Sequence, residues 1–326
     1  TLFALLSLWS YCRARQSAGR PVLAVSWYLA CAVAFLMAVF TKENALLVVP
    51  LIMLLEWQVF RYRRGDGATS PGLARVHGAL FLLGGVVVLA AIAWKPDVIL
   101  DGYQRRDFDL AERLWTQARV LWSYTWQLLW PQAGQLGLYQ DGQLVSRGWL
   151  SPPSTAVAVL AWVALLLLTC LAAWRRSLAP LVIGVLFFLI AHVMESTIIP
   201  LELYFEHRNY LPAAGLYIGF AGLLALAWKR WSWLGPWLLA GIVLVGARAV
   251  LVTATEAQIW SSEYIFHMTA INRHPDSARA NAEMSRVMAL GGDIDEALHY
   301  SARMTEIEGD GYLRHQLREL LLYCYA

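Results

Sequence analysis

Charge is scarce in this chain: Asp, Glu, Lys and Arg make up 15% of its 326 residues. Soluble domains carry about 25%. That shortfall excludes an ordinary soluble enzyme, and with 59% hydrophobic residues it also excludes a disordered chain. Cysteine is sparse too. Cys12, Cys31, Cys170 and Cys324 show no CxxC and no Cys/His spacing, so they read as packing residues, not a disulfide framework or a zinc site. No GxSxG, Walker A loop or HExxH string occurs, so hydrolase and ATPase readings lose their usual support. No basic tract is present and the net charge is only +3, which gives nothing for nucleic acid to bind. No signal peptide is visible either. The chain opens at Thr1 and is apolar from Leu2 to Leu8; it reads as starting partway through a membrane helix, with further spans expected upstream.

What is there points to an integral membrane protein. Mean hydropathy is +0.49. Sixteen Trp and fourteen Tyr fit, because amphipathic aromatics gather at membrane interfaces. About 20 apolar residues cross the hydrocarbon core as a helix. Expected spans are 22–40, 44–60, 77–94, 155–174, 180–195, 211–228 and 233–252, about seven, plus a partial first one at 1–11. A weaker stretch, 114–130, carries Arg119 and several Trp and suits the interface.

Charge orients these spans. The loops 12–21 and 61–76 and the turns Arg175-Arg176 and Lys229-Arg230 hold eleven basic residues against one acid, Asp66. They alternate with the spans and are expected to be cytoplasmic. The turn 41–44, the long loop 95–153, the loop 195–210 and everything from 254 on then lie on the other side. The expected domains are therefore 1–253, transmembrane, and 254–326, a non-cytoplasmic helical tail.

The tail is different in kind, with eleven acids and six basic residues. Asn272-Arg273-His274-Pro275-Asp276 is a helix break. Ala278 to Leu290 and Ile294 to Ile307 are two helical patterns joined by Gly291-Gly292-Asp293. Gly292, Glu296-Ala297-Leu298 and the upstream Pro275 match the 34-residue tetratricopeptide register in part, although the signature aromatics are absent. One unit and two halves need a partner or the membrane domain to cap them.

Charges kept at membrane depth are candidates for function, and here they form three groups on the non-cytoplasmic side. Thr41-Lys42-Glu43-Asn44 is either a polar turn whose Lys and Glu pair with each other, or a lysine and a carboxylate set near a phosphate. Between Asp109 and Pro131, Arg113, Gln117 and Arg119 share or nearly share one helical face, with Trp115, Trp122 and Trp126 between them. That is either an interfacial amphipathic helix or a guanidinium clamp on a lipid phosphate. The third group is the densest: His192, Glu195, Ser196, Thr197, Pro200, Glu202 and Glu206-His207-Arg208-Asn209-Tyr210-Leu211-Pro212. Three carboxylates, two histidines and an arginine fall within seventeen residues, enough for a general base and for cations that neutralise a leaving phosphate. Carboxylates with histidines also form a donor set for a divalent ion such as Mg or Mn, but no spacing demands one. Gly84, Gly85, Gly215 and Gly219 read as helix-packing positions.

Three strings come in order: Thr41-Lys42-Glu43-Asn44-Ala45, Arg113-Leu114-Trp115-Thr116-Gln117-Ala118-Arg119-Val120, and Glu195-Ser196-Thr197 with Glu206 to Pro212. A tetratricopeptide-like segment follows, and Tyr139-Gln140-Asp141 with Ser146 suits the long loop between them. Together they resemble a bacterial family of polytopic membrane proteins with C-terminal tetratricopeptide repeats, similar to the TMTC-type protein O-mannosyltransferases of animals. The resemblance implies an all-α, polytopic bundle of the GT-C type, truncated at its N-terminus. It implies transfer of a sugar from a polyprenyl-phosphate donor to a protein or glycan on the periplasmic face of a bacterial inner membrane, or on the lumenal face in a eukaryote. It implies a main catalytic acid upstream of this chain. Glu206 and Glu195 are then the visible carboxylates. Arg208, Lys42, Arg119, Arg113 and His207 are expected to bind the donor phosphate, and Glu43, Gln117, Asn209 and Tyr210 to support them. The tail is expected to bind the acceptor. A transporter or flippase of lipid-linked saccharides, and a non-enzymatic repeat scaffold for envelope assembly, are the rival readings.

Overall fold

The structure is a computed structural model, and it describes residues 1–63, 67–104, 106–140, 142–175 and 178–308. Arg64, Asp66, Arg105, Asp141, Arg176, Cys324 and the tail beyond 308 lie outside the described residues. Among the described residues the protein is helical, with no strand. Among the described residues six helices are long and apolar enough to cross a membrane, among them Pro71–Trp94 and Ser154–Trp174. Two of them, Pro21–Thr41 and Ser154–Trp174, contain no charged residue at all. The chain divides into two compact units.

The first unit comprises Thr1–Thr125, Val145–Leu203 and His207–Leu238. It holds α1 (Leu2–Gln16), α2 (Pro21–Thr41), α3 (Val48–Leu55), α4 (Pro71–Trp94), α5 (Asp97–Tyr103), most of α6 (Leu110–Leu129), α7 (Ser154–Trp174), α8 (Ala179–His192) and α9 (Tyr210–Arg230). The stretch expected as a span over 44–60 is one of the six, Glu43–Phe60, and it changes helix type along its length. A 3₁₀ turn at Glu43–Leu47 leads into α3, and a π-type turn at Glu56–Phe60 follows it. The apolar face of α3 anchors the core: Val48 and Leu51 are fully buried, with Ala4, Leu8, Ala38, Phe187, Ala191 and Leu211 around them. Elsewhere the long helices turn apolar side chains outward. None of the residues in the apolar window of α4 is buried, and Val22, Phe40, Leu82, Trp94 and Trp174 are all more than two-thirds exposed. In water that would be an aggregation surface. In a bilayer it is the lipid-facing side, and exposed Trp at helix ends matches the interface.

Glycine sets the closest approach in this unit. A Cβ on Gly219 of α9 would lie 2.5 Å from the Gly184 Cα of α8 and 2.8 Å from the Pro180 carbonyl. Gly215 faces the Phe187 ring in the same way. Small residues let membrane helices approach backbone to backbone, and α8 against α9 does so. Gly84 and Gly85 differ. Nothing lies within 4 Å of either, so the expectation that they pack another helix is corrected: in α4 they face outward.

The second unit comprises Trp126–Leu144, Tyr204–Glu206 and the chain from Leu239. It holds most of α10 (Gly235–Ile259), with α11 (Glu263–Arg273), α12 (Ala278–Leu290) and α13 (Ile294–Glu308). Part of the long loop belongs here because arginines hold it. Arg248 of α10 donates to the Pro131 carbonyl at 2.9 Å and lies over the Trp130 ring. Arg273 donates to the Leu136 carbonyl at 2.8 Å and grips Glu256 with both amino groups. α12 and α13 form a hairpin. Ser277 caps α12 by accepting from the Ala280 amide, Gly292 takes the positive φ of +83° that the turn requires, and Ala278, Ala282 and Met304 close the seam.

Candidate functional site

The first unit brings two distant strings together. α2 ends at Thr41, and Lys42 is extended, so the chain leaves the helix sharply. That places the ammonium against the segment after α8: Lys42 Nζ lies 2.5 Å from Glu195 Oε1, with 153 residues of sequence between them. The Glu195 side chain is 7% exposed and that of Lys42 46%, so a buried carboxylate holds a cation that still reaches outward. Lys42, Asn44, Glu195, His207, Arg208 and Tyr210 line one open cleft of about 70 Å³, together with Thr1 and Phe3 at the start of the first helix. Three of these side chains are cationic or become so on protonation.

Arg208 is nearly buried and donates to the Glu202 carbonyl at 2.5 Å. This bond curls the segment 202–208 and sets the guanidinium into the cleft wall. Asn209 behind it is buried, whereas His207 and Tyr210 are exposed. His192, four residues before Ser196, is a core residue. It stacks on Tyr124 at 5.4 Å and meets the edge of Phe188 at 4.6 Å.

The remaining expected residues fall outside this cleft. Arg113 is wholly buried. Its Nε donates to the Thr197 carbonyl and its Nη2 to the Glu195 carbonyl, both at 2.8 Å, while Nη1 donates to the carbonyl of Leu201. Burial pulls its pKa from 12.5 down to about 10, with Arg208 and Arg106 adding to the effect, so it remains charged at neutral pH. Fully buried and absent from the cleft lining, Arg113 is not placed to meet a ligand there, so the expectation of it as a phosphate ligand is corrected: its three carbonyl bonds hold the loop 195–201 in shape. Gln117 does the same one turn further on, donating to the Leu203 carbonyl at 2.7 Å. Arg119 lies on Ser146, at 3.2 Å. Glu43 is exposed at the start of its 3₁₀ turn. Glu206 belongs to the second unit, where Gln140 donates to its carboxylate at 2.9 Å. Among the described residues no three His, Cys, Asp or Glu side chains gather in a way that fits a metal ion.

One buried charge escaped the sequence reading. Glu56 lies inside the expected span 44–60 and is fully buried. Tyr11 donates to it at 2.8 Å, and Arg15 Nε lies 2.5 Å from the same oxygen. An acid at the end of an apolar run, with an arginine available on a neighbouring helix, was the signal that could have found it.

No protein-family model matches the chain, and no curated protein and no solved structure matches it.

Proposed function

We propose that this protein is a membrane glycosyltransferase that moves a sugar from a polyprenyl-phosphate donor to a protein or glycan acceptor on the non-cytoplasmic face. One observation carries the reading. Lys42, Arg208 and His207 converge with Glu195 in a cleft at the ends of apolar helices. A polyprenyl-phosphate donor is half lipid, so its phosphate belongs where apolar helices end. The acceptor hydroxyl attacks the anomeric carbon, the bond from that carbon to the phosphate oxygen breaks, and the phosphate leaves with the electron pair. Cations fixed beforehand stabilise that developing charge without reorganising. Lys42 and Arg208 fill this role, with His207 beside them. Glu195 is the carboxylate that lines the cleft; it fixes Lys42 and stands where an acceptor proton can go. Arg113 and Gln117 act by positioning, since each ties the loop that bears Glu195 to α6.

The resemblance to polytopic proteins with tetratricopeptide tails supports the same reading. In it the fold is GT-C-like, the cleft and tail face the periplasm, and the α12–α13 hairpin is a tetratricopeptide unit that receives the acceptor.

The test is made in the organism that carries the gene. The gene is deleted and restored as wild type, Lys42→Ala or Arg208→Lys. Surface glycoproteins and glycolipids are compared by mass spectrometry, with membrane abundance of each variant as the control for insertion. A sugar lost on deletion, restored by wild type and not by inserted variants, is the expected result. Unchanged glycans in every strain would end the proposal, and a requirement for the tail alone would favour a scaffold.

A further inference from the structure

At the end of the first unit away from Lys42, a second and wider cleft opens. α2 starts at this end with Pro21 and reaches the other with Thr41, a rise of roughly 30 Å at 1.5 Å per residue. The cleft measures about 280 Å³ and is lined by Trp57, Gln58, Arg61, Tyr62, Arg63 and Thr69, with the end of α7 and the start of α8 beside them. Among the described residues, no acidic side chain lines it.

The described residues that build this cleft, 57–63 and 69–70, are tied down from below and to each other. Below them lies the buried Glu56, held by Tyr11 and Arg15. Arg15 also donates to the Arg63 carbonyl at 2.5 Å, which ties the buried carboxylate to the loop. The Ser70 amide donates to the Tyr62 carbonyl at 2.7 Å, and Arg63 bridges to Thr69. Between these ties Arg61 and Tyr62 both take the left-handed conformation, at φ 54° and 53°. Non-glycine residues adopt it rarely and at a cost, and such positions cluster at ligand sites. A π-type turn, another feature frequent at functional sites, immediately precedes them.

The reversal leaves two guanidiniums on the cleft. Arg61 and Arg63 are both exposed, and neither side chain has an ion pair among the described residues. The surroundings are those of a membrane interface. Arg13, Arg20, Arg175, Lys229 and Arg230 mark the ends of neighbouring helices here, and Trp57, Trp174, Trp228 and Trp231 are exposed. Tryptophan gathers at the head-group level.

We propose that this cleft binds the head group of an anionic phospholipid. Arg61 and Arg63 hold its phosphate, and the exposed face of Trp57 lies against the glycerol and upper acyl chain. Guanidinium forks match phosphate oxygens, and basic pockets between transmembrane helices suit acidic head groups. The site is separate from the Lys42 cleft and does not depend on the activity proposed for it.

Native mass spectrometry of the purified protein, exchanged into phosphatidylglycerol or phosphatidylcholine, tests this. Wild type is expected to retain one phosphatidylglycerol in preference to phosphatidylcholine. Arg61→Gln with Arg63→Gln should weaken retention by about tenfold or more, since each cation near an anionic head group contributes several-fold. Lys229→Gln with Arg230→Gln, at the same end but outside the cleft, should leave it unchanged. A photoactivatable phosphatidylglycerol supplies a readout that needs no variant: it should label the segment 57–69 of wild type. Equal retention of both lipids, equal retention by a well-folded Arg61/Arg63 variant, or labelling only elsewhere would overturn the proposal. So would displacement by millimolar inorganic phosphate, which would make the ligand a soluble anion.

Discussion

Removing Lys42 is the sharpest perturbation of the Lys42–Glu195 cleft. Lys42→Ala leaves a carboxylate 7% exposed without the cation that lay 2.5 Å away. Breaking a fully buried pair costs about 3–5 kcal/mol, and breaking an exposed one about 0.2–1 kcal/mol. The lysine is 46% exposed, so solvent screens the pair and the expected cost falls between, at about 2 kcal/mol. Glu195→Gln should cost less, about 1 kcal/mol, because the freed ammonium can rehydrate. The two are in direct contact and should couple, so the double variant should lose about 2 kcal/mol and not 3. Thermal melting followed by tryptophan fluorescence reads this, at about 2–4 °C per kcal/mol. Additivity within about 0.3–0.5 kcal/mol would refute the pairing, and so would a Lys42→Ala loss no larger than that of Lys229→Ala. The charge swap Lys42→Glu with Glu195→Lys separates structure from function. It should recover part of the stability and none of the sugar transfer.

Arg113→Lys should destabilise by about 3 kcal/mol and expose the loop 195–203 to protease, because one ammonium cannot serve three carbonyls spread around a planar fork. Gly219→Ala should cost about 1–3 kcal/mol in the same melts through its clash with Gly184 and Pro180. Gly84→Ala, with open space around it, should be neutral or up to about 1 kcal/mol stabilising. His267 gives a pH dependence. Burial holds its imidazole below the ordinary value of 6.5, so the unfolded chain takes up a proton first as pH falls. The stability of the α11–α12 region is then full above pH 6.5 and declines as pH drops through 6.5 toward the lowered folded value. Hydrogen exchange of these helices at pH 7.5 and 5.5 checks this, and His267→Gln should remove the difference.

Helices were legible in this sequence wherever one residue type decided them. The hairpin is one case. The turn Gly291-Gly292-Asp293 and the alternation of Ala and Met with charged residues fixed its two arms, and α12 and α13 run from Ala278 and Ile294 as that pattern requires. The apolar spans are another, since lipid-facing helices need only composition. Partners across long sequence distances were not legible. Glu43, the neighbour of Lys42, is the pairing that local spacing suggests, yet an extended Lys42 carries the ammonium away to Glu195. Arg113 looked like a phosphate ligand because helical spacing places it near Arg119. Spacing gives a face and says nothing about burial, and burial decided its role. The end of α8 at His192 was hidden for a related reason: carbonyls after it bond to Arg113 and not back along the helix.

The same arrangement occurs at both ends of the first unit. Glu195 is buried and holds Lys42, which reaches a cleft; Glu56 is buried and holds Arg15, whose second amino group fixes the loop of another cleft. Stability alone does not account for either pair. Burying two charges costs desolvation that their attraction often fails to recover, and apolar residues of similar volume commonly serve as well or better. Membrane helices have still less need of such pairs, because their backbone is already satisfied within each helix. What a buried carboxylate adds is placement. It gives one cation a fixed position at the rim of the bilayer, where a flexible lysine or arginine would otherwise spread over many rotamers. Anionic groups attached to lipid arrive at that rim in a narrow layer. In the proposed transfer site the held cation is Lys42 itself; in the proposed phospholipid cleft it is Arg15, which acts at one remove by tying down the backbone that presents Arg61 and Arg63.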